Sequence, residues 1–132
     1  FWKVSPDDKD AEMSNFVEVK IFEVDPGKVD AFEALASEVA AWQQACPGCQ
    51  RFLMMKRAYT INNPEKDPRK LQKIIKSVKY FAVWEFDTRE AYSAACHAFF
   101  EKYERPLGRL LIHPFDIHLG YALTDAGWEP EA

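Results

Sequence analysis

The chain repeats itself. Glu23-Val24-Asp25 leads into Asp30-Ala31-Phe32, and Glu85-Phe86-Asp87 leads into Glu90-Ala91-Tyr92, each an apolar run breaking into an amphipathic one. A duplicated strand-to-helix unit, with a further apolar strand after each helix, specifies a βαββαβ domain. Its antiparallel sheet is covered on one face by two helices, the ferredoxin-like α+β arrangement. The other sheet face must then be hidden by a partner subunit, a ligand, or both. With 132 residues, 48% hydrophobic and 14% aromatic, the chain has the apolar side chain for one real core.

Charge and hydropathy remove several functions. Seventeen basic residues against 21 acidic ones give a net charge of −4, which argues against a dedicated nucleic-acid or anionic-membrane surface. No apolar run approaches the roughly 18 residues that span a bilayer, so no membrane partner is expected and the reading is cytoplasmic. Residues 1–15 read as an N-terminal extension, 16–123 as the domain with an insertion at about 62–78, and 124–132 as a polar tail.

Within the domain, Phe16 to Val24 carries apolar residues on both parities, with Glu18, Lys20 and Glu23 leaving one face partly polar. Asp25-Pro26-Gly27 turns the chain. Val29, Phe32, Leu35, Ala36, Val39, Trp42 and Cys46 then follow helical spacing until Pro47-Gly48. A second strand spans about Arg51 to Ile61 and breaks at Asn62-Asn63-Pro64. From Asp67 to Val78 two structures compete: a short helix with Pro68 at its first position and Leu71, Ile74, Ile75 and Val78 on one face, or a backward extension of the third strand into a long hairpin. Tyr80 to Asp87 is the third strand. Thr88 caps the second helix, whose buried stripe is Tyr92, Ala95, Cys96, Phe99 and Tyr103, and Arg105-Pro106 ends it. The fourth strand, His113 to Leu123, alternates Phe115, Ile117, Leu119 and Tyr121 with Asp116, His118 and Gly120. If the Ile117 side faces a partner, Ile117→Lys should yield monomer or aggregate.

Cys46-Pro47-Gly48-Cys49 has redox spacing but stands at a helix C-terminus, where the dipole disfavours thiolate, and Pro-Gly is a turn in its own right. Cys96-His97 adds no zinc-ligand spacing to it, so no metal is expected. His97 leans towards solvent. His118 shares a strand face with Asp116 and is placed to bind or transfer a proton. Trp84, with Ala82 and Phe86 on its face, offers a flat wall for a planar ligand. Met55, Arg57 and Tyr59 share one face of the second strand and could add a polar handle to that wall. There is no phosphate loop, dinucleotide fingerprint or nucleophile elbow, and hence no expected cofactor. The basic stretch Arg69 to Lys79 reads as a solvated face.

The order of elements, the helix-ending Pro47-Gly48-Cys49, and the passage Tyr80-Phe81-Ala82-Val83-Trp84-Glu85 through Ala91-Tyr92 resemble the antibiotic biosynthesis monooxygenase family over about Phe16 to Leu123. The resemblance implies two copies pairing into a dimeric α+β barrel. It also implies cofactor-independent oxygenation of a planar phenol or quinone, with Trp84, Tyr59, Met55 and Phe86 at the substrate, His118 or His97 as base and Arg57 steadying the phenolate. Two other readings accompany it: a non-catalytic dimeric module that binds a small hydrophobic molecule, and haem binding or degradation. The chain departs from the family's patterns at the second helix. Ser93-Ala94-Ala95 stands where a histidine is common, and Ser93 to Tyr103 lacks the tryptophan and histidine of the haem-degrading relatives in register. Asn15 alone stands near their asparagine.

Overall fold

A computed structural model describes residues 14–72 and 76–124. In chain order the elements are β1 (Phe16–Val24), α1 (Val29–Gln44), β2 (Cys49–Lys56), β3 (Tyr59–Thr60), β4 (Arg69–Lys70), β5 (Val78–Phe86), α2 (Arg89–Gly108) and β6 (Asp116–Tyr121). The main sheet runs β2-β5-β1-β6 with every neighbour antiparallel, and β3 and β4 form a separate ribbon. This is the ferredoxin-like βαββαβ domain, with the ribbon inserted between its second and third strands.

Local chemistry sets the joints. The Asp25 carboxylate accepts from the Gly27 amide at 2.9 Å and opens a short 3-10 turn into α1. Thr88 Oγ1 accepts from the Ala91 amide at 3.0 Å and caps α2. Between α1 and β2 the Cys49 amide donates to the Cys46 carbonyl at 3.1 Å, with Gly48 at φ 87°, a tight reversal that Pro47-Gly48 is built to make.

Several boundaries differ from the sequence expectation. β2 stops at Lys56, so Arg57 and Tyr59 lie beyond it and do not share its face with Met55. Of the two readings for 67–78, the helix fails at its start. Arg69 and Lys70 pair with Thr60 and Tyr59, and the Leu71 amide donates to the Ala58 carbonyl at 2.9 Å. Asn63 makes the turn, its side chain accepting from the Glu65 amide at 3.0 Å, so the backbone donors find cross-strand partners in place of helical ones. The Ile74 and Ile75 part of that stripe lies outside the described residues, as do 1–13 and 125–132. α2 runs through Pro106 to Gly108, because Pro106 costs a single amide near the helix end and Leu107, 2% exposed, anchors the last turn in the core.

The register places the side chains. On the helix-facing side, rows across the sheet read Tyr121–Phe16–Phe86–Cys49, then Leu119–Glu18–Trp84–Phe52, then Ile117–Lys20–Ala82–Met54. The outer face carries Gly120–Val17–Glu85–Arg51, then His118–Val19–Val83–Leu53, then Asp116–Ile21–Phe81–Met55. Ile117 therefore looks towards the helices, and a charge there would not test the outer face. Leu53 and Met55 remain 63% and 52% exposed.

Candidate functional site

The inner face of β1 contradicts the rule that charge points outward. Its row reads Phe16, Glu18, Lys20, Phe22, Val24, and Glu18 and Lys20 are each only 1% exposed. The Lys20 ammonium pairs with Glu18 Oε1, and the Tyr92 hydroxyl, reaching down from the first turns of α2, donates to Glu18 Oε2. Tyr92 Oη also lies 3.3 Å from Cys96 Sγ, one helical turn along. These four groups form one polar cluster beneath α2, with both carboxylate oxygens engaged.

Its surroundings are aromatic. Lys20 Nζ lies 4.0 Å from the centroid of the Phe99 ring, 5.3 Å from that of Trp84 and 5.9 Å from that of Phe115. Ring faces attract the cation but replace little of the water it has lost. Burial accordingly holds the Lys20 amine below its ordinary range, against the opposing pull of Glu18. Burial, with Cys96 and Glu18 beside it, holds the Tyr92 phenol well above its ordinary range, so Tyr92 stays a donor. The small side chain of Ala82, directly across from Lys20, leaves room for the lysine stem. The space that the sequence pointed to beside Trp84 is thus filled by an amine.

Trp84 and Phe86 are fully buried in the core, and the Trp84 indole donates to the Gln43 carbonyl at 3.2 Å. The other residues singled out from sequence do not converge on them. His118 is exposed on the outer sheet face, opposite Val19. His97 is exposed on α2, Arg57 follows β2 at its exposed end, and Tyr59, 58% exposed, belongs to the ribbon. Met55 points outward beside Phe81. Glu18, Lys20 and Tyr92 were not singled out. The available signal was two charged residues held between Phe16 and Phe22 at strand spacing on a strand apolar on both parities.

Two clefts approach this interior. One, of about 430 Å³, lies between the C-terminal half of α2 and the segment before β6, lined by Phe100, Glu104, Leu111, His113, Phe115 and Ile117. The other, of about 530 Å³, runs between the helices over Trp42, Cys46 and the alanines of α2. Cys46 and Cys49 are free thiols, and burial raises both above the ordinary thiol range, the reverse of what a reactive pair needs. Among the described residues no three His, Cys, Asp or Glu side chains are placed to hold a metal ion, and no helix is long and apolar enough to cross a membrane.

No family model matches the chain, and neither does any curated protein. Solved structures do. A "putative antibiotic biosynthesis monooxygenase" of Nitrosomonas europaea is 16% identical over 86% of this chain and 95% of its own, with a TM-score of 0.63. SnoaB, a cofactor-independent oxygenase of Streptomyces nogalater solved as a variant, is 18% identical over 87% and 99%, with a TM-score of 0.60. A dimeric ferredoxin-like protein of an uncultured marine organism is 13% identical over 92% and 98%, with a TM-score of 0.60. The chain shares the fold of these structures.

Proposed function

We propose that the chain is a homodimeric, cofactor-independent monooxygenase-like enzyme acting on a small planar phenol- or quinone-type aromatic. The observation that carries this reading is the interior beneath α2: aromatic rings of Trp84, Phe99 and Phe115 around a buried acid–base pair. The neighbouring SnoaB structure, of a cofactor-independent oxygenase, agrees with it. An electron-rich aromatic, once deprotonated, supplies its own electrons to oxygen. In the simplest balanced case an activated ring methylene and dioxygen give a ring ketone and water. One oxygen atom enters the product as the carbonyl, and the other leaves as water with the two methylene hydrogens. The protein needs only to exclude water, hold the ring and stabilise the anion.

The proposed partner is a second copy, docked on the outer sheet face. Val17, Val19, Ile21, Phe81, Val83 and Leu53 form a continuous apolar surface there, and His118 and Met55 would be interface residues. An apolar face of this kind on a small domain marks an association site. Oxygen uptake with an anthrone or a hydroxyquinol, against an anaerobic control, tests the activity. Oxygen-dependent product is the expected result. Tight binding without product would reject the enzyme in favour of a non-catalytic binding module.

A further inference from the structure

We propose that Lys20 and Glu18 together ionise the aromatic substrate: the pair takes up the phenolic proton, and the Lys20 ammonium becomes the counter-ion of the phenolate. This rests on the oxygenase reading above and assigns the two groups that start the reaction.

The geometry supports it at three points. First, the pair is a charge placed in advance where water does not reach, each partner 1% exposed. A fixed ammonium in such a site stabilises an arriving anion without reorganising solvent. Second, Glu18 is held on its far side by the Tyr92 hydroxyl, so the carboxyl stays in place when the ammonium turns towards a new anion. Third, the approach is short. The 430 Å³ cleft is lined by Phe115 and Ile117; Ile117 pairs across from Lys20, and the Phe115 ring is 5.9 Å from the ammonium. Phe115 therefore borders both a cleft large enough for a fused aromatic and the buried cation. Phe100 lies beside Phe115 at 5.8 Å between ring centroids and lines the same cleft, so two aromatic rings flank the entering ligand.

The proton balance closes from either starting form. If the free pair is Glu18 carboxylate with Lys20 ammonium, the phenol proton goes to Glu18. If it is Glu18 carboxylic acid with neutral Lys20, the proton goes to the amine. Both end with Glu18 protonated, Lys20 as ammonium and the ligand as phenolate. The titratable groups facing Lys20 are Glu18 on its own strand and Tyr92 and Cys96 on α2, whereas β5 and β6 present Ala82, Trp84 and Ile117.

The test uses 4-nitrophenol and 2-naphthol, whose absorbance distinguishes phenol from phenolate, titrated into the full chain across a pH series. The bound probe should ionise at least about one pH unit below the free probe, a tenfold change in its ionisation constant. In Lys20→Met that shift should vanish. Because Lys20→Met strands the Glu18 carboxylate, Glu18→Gln/Lys20→Met, which removes both charges, carries the same test on a chain with no buried unpaired ion. An unshifted bound probe, the same shift in the double variant, or no binding to the wild type would each overturn the assignment. Oxygen uptake by the double variant separates this failure from that of the enzyme reading: uptake retained without Lys20 and Glu18 leaves an oxygenase with another base. A wild type that neither binds the probes nor consumes oxygen removes both.

Discussion

Glu18→Gln isolates the energetics of the buried pair. The carboxylate serves two donors, one oxygen to the Lys20 ammonium and the other to the Tyr92 hydroxyl. A glutamine amide has one acceptor oxygen and one NH2 group, so it can serve Tyr92 or Lys20 but turns a donor towards the other. The ammonium then stays buried among Phe99, Trp84 and Phe115 without a counter-ion. Breaking a buried pair in this way costs about 3–5 kcal/mol. Against a total stability of about 5–15 kcal/mol for a domain, that is a large share. With a urea m-value of about 2 kcal/mol/M, the unfolding midpoint should fall by about 2 M. Adding Lys20→Met removes the stranded charge and fills the site with a side chain of similar length, so the double variant should regain most of the loss. Equilibrium urea unfolding followed by tryptophan fluorescence reads both. A loss below about 1 kcal/mol in the single variant, as for an exposed pair, would refute the argument. So would a double variant no more stable than the single.

Val19→Lys places a charge at the centre of the outer sheet face, in the row His118–Val19–Val83–Leu53, and should convert dimer to monomer in sedimentation velocity; an unchanged dimer would contradict the proposed interface. Gly48→Ala should cost about 2–4 kcal/mol and lower Tm by roughly 10 °C in calorimetry, because φ is 87° and the new Cβ would sit 2.6 Å from the Ala91 Cβ. His113 donates to the Pro114 carbonyl and to Glu23, each at 2.8 Å, and these bonds raise its imidazole above the ordinary 6.5. Its stabilisation is complete below pH 6.5 and is lost as pH rises through the higher folded value. Against the opposing effect of partial burial, the His113 and Ser77 hydrogen bonds hold Glu23 below 4.5, so its contribution is present above that pH and is lost as pH falls. Tm measured from pH 4 to 9 should therefore fall on both sides of a mildly acidic plateau, and His113→Asn should remove the alkaline limb.

The elements built on periodicity and capping were legible in the sequence. β1 spans Phe16–Val24 as read, Thr88 caps α2, and Pro47-Gly48 turns α1 into β2. The ribbon of β3 and β4 was not decided, because Leu71 fits a helical stripe and a hairpin equally well, and the choice rests on backbone pairing with residues 58–60. Whether the Ile117 side faces a partner was left open by the alternation, and the register of β6 beside β1 puts Ile117 on the same sheet side as Lys20, facing the helices. The burial of Trp84 and Phe86 was legible, and that of Glu18 and Lys20 was hidden. A charged pair on a strand reads as its solvent face when the other parity carries Val17, Val19 and Ile21. The inversion is visible only once the helices are seen to cover the charged side.

That inversion separates what the fold needs from what the site needs. Hydrophobic residues of similar volume hold a core as well as a buried ion pair does, and often better. Glu18 and Lys20 are therefore not required to make β1 a central strand, since Phe16, Phe22 and Val24 already bind it to the helices on the same face. Nor do they serve the outer face, whose apolar rows are complete without them. What the pair does supply is the only cation among the described residues that is both fully buried and ringed by aromatic faces, with a carboxylate and a phenol on its far side. A chain with Glu18→Gln and Lys20→Met together should fold and associate as the wild type does and yet lose phenolate binding. Stability and chemistry part company in that variant because the ion pair contributes to one and is dispensable to the other.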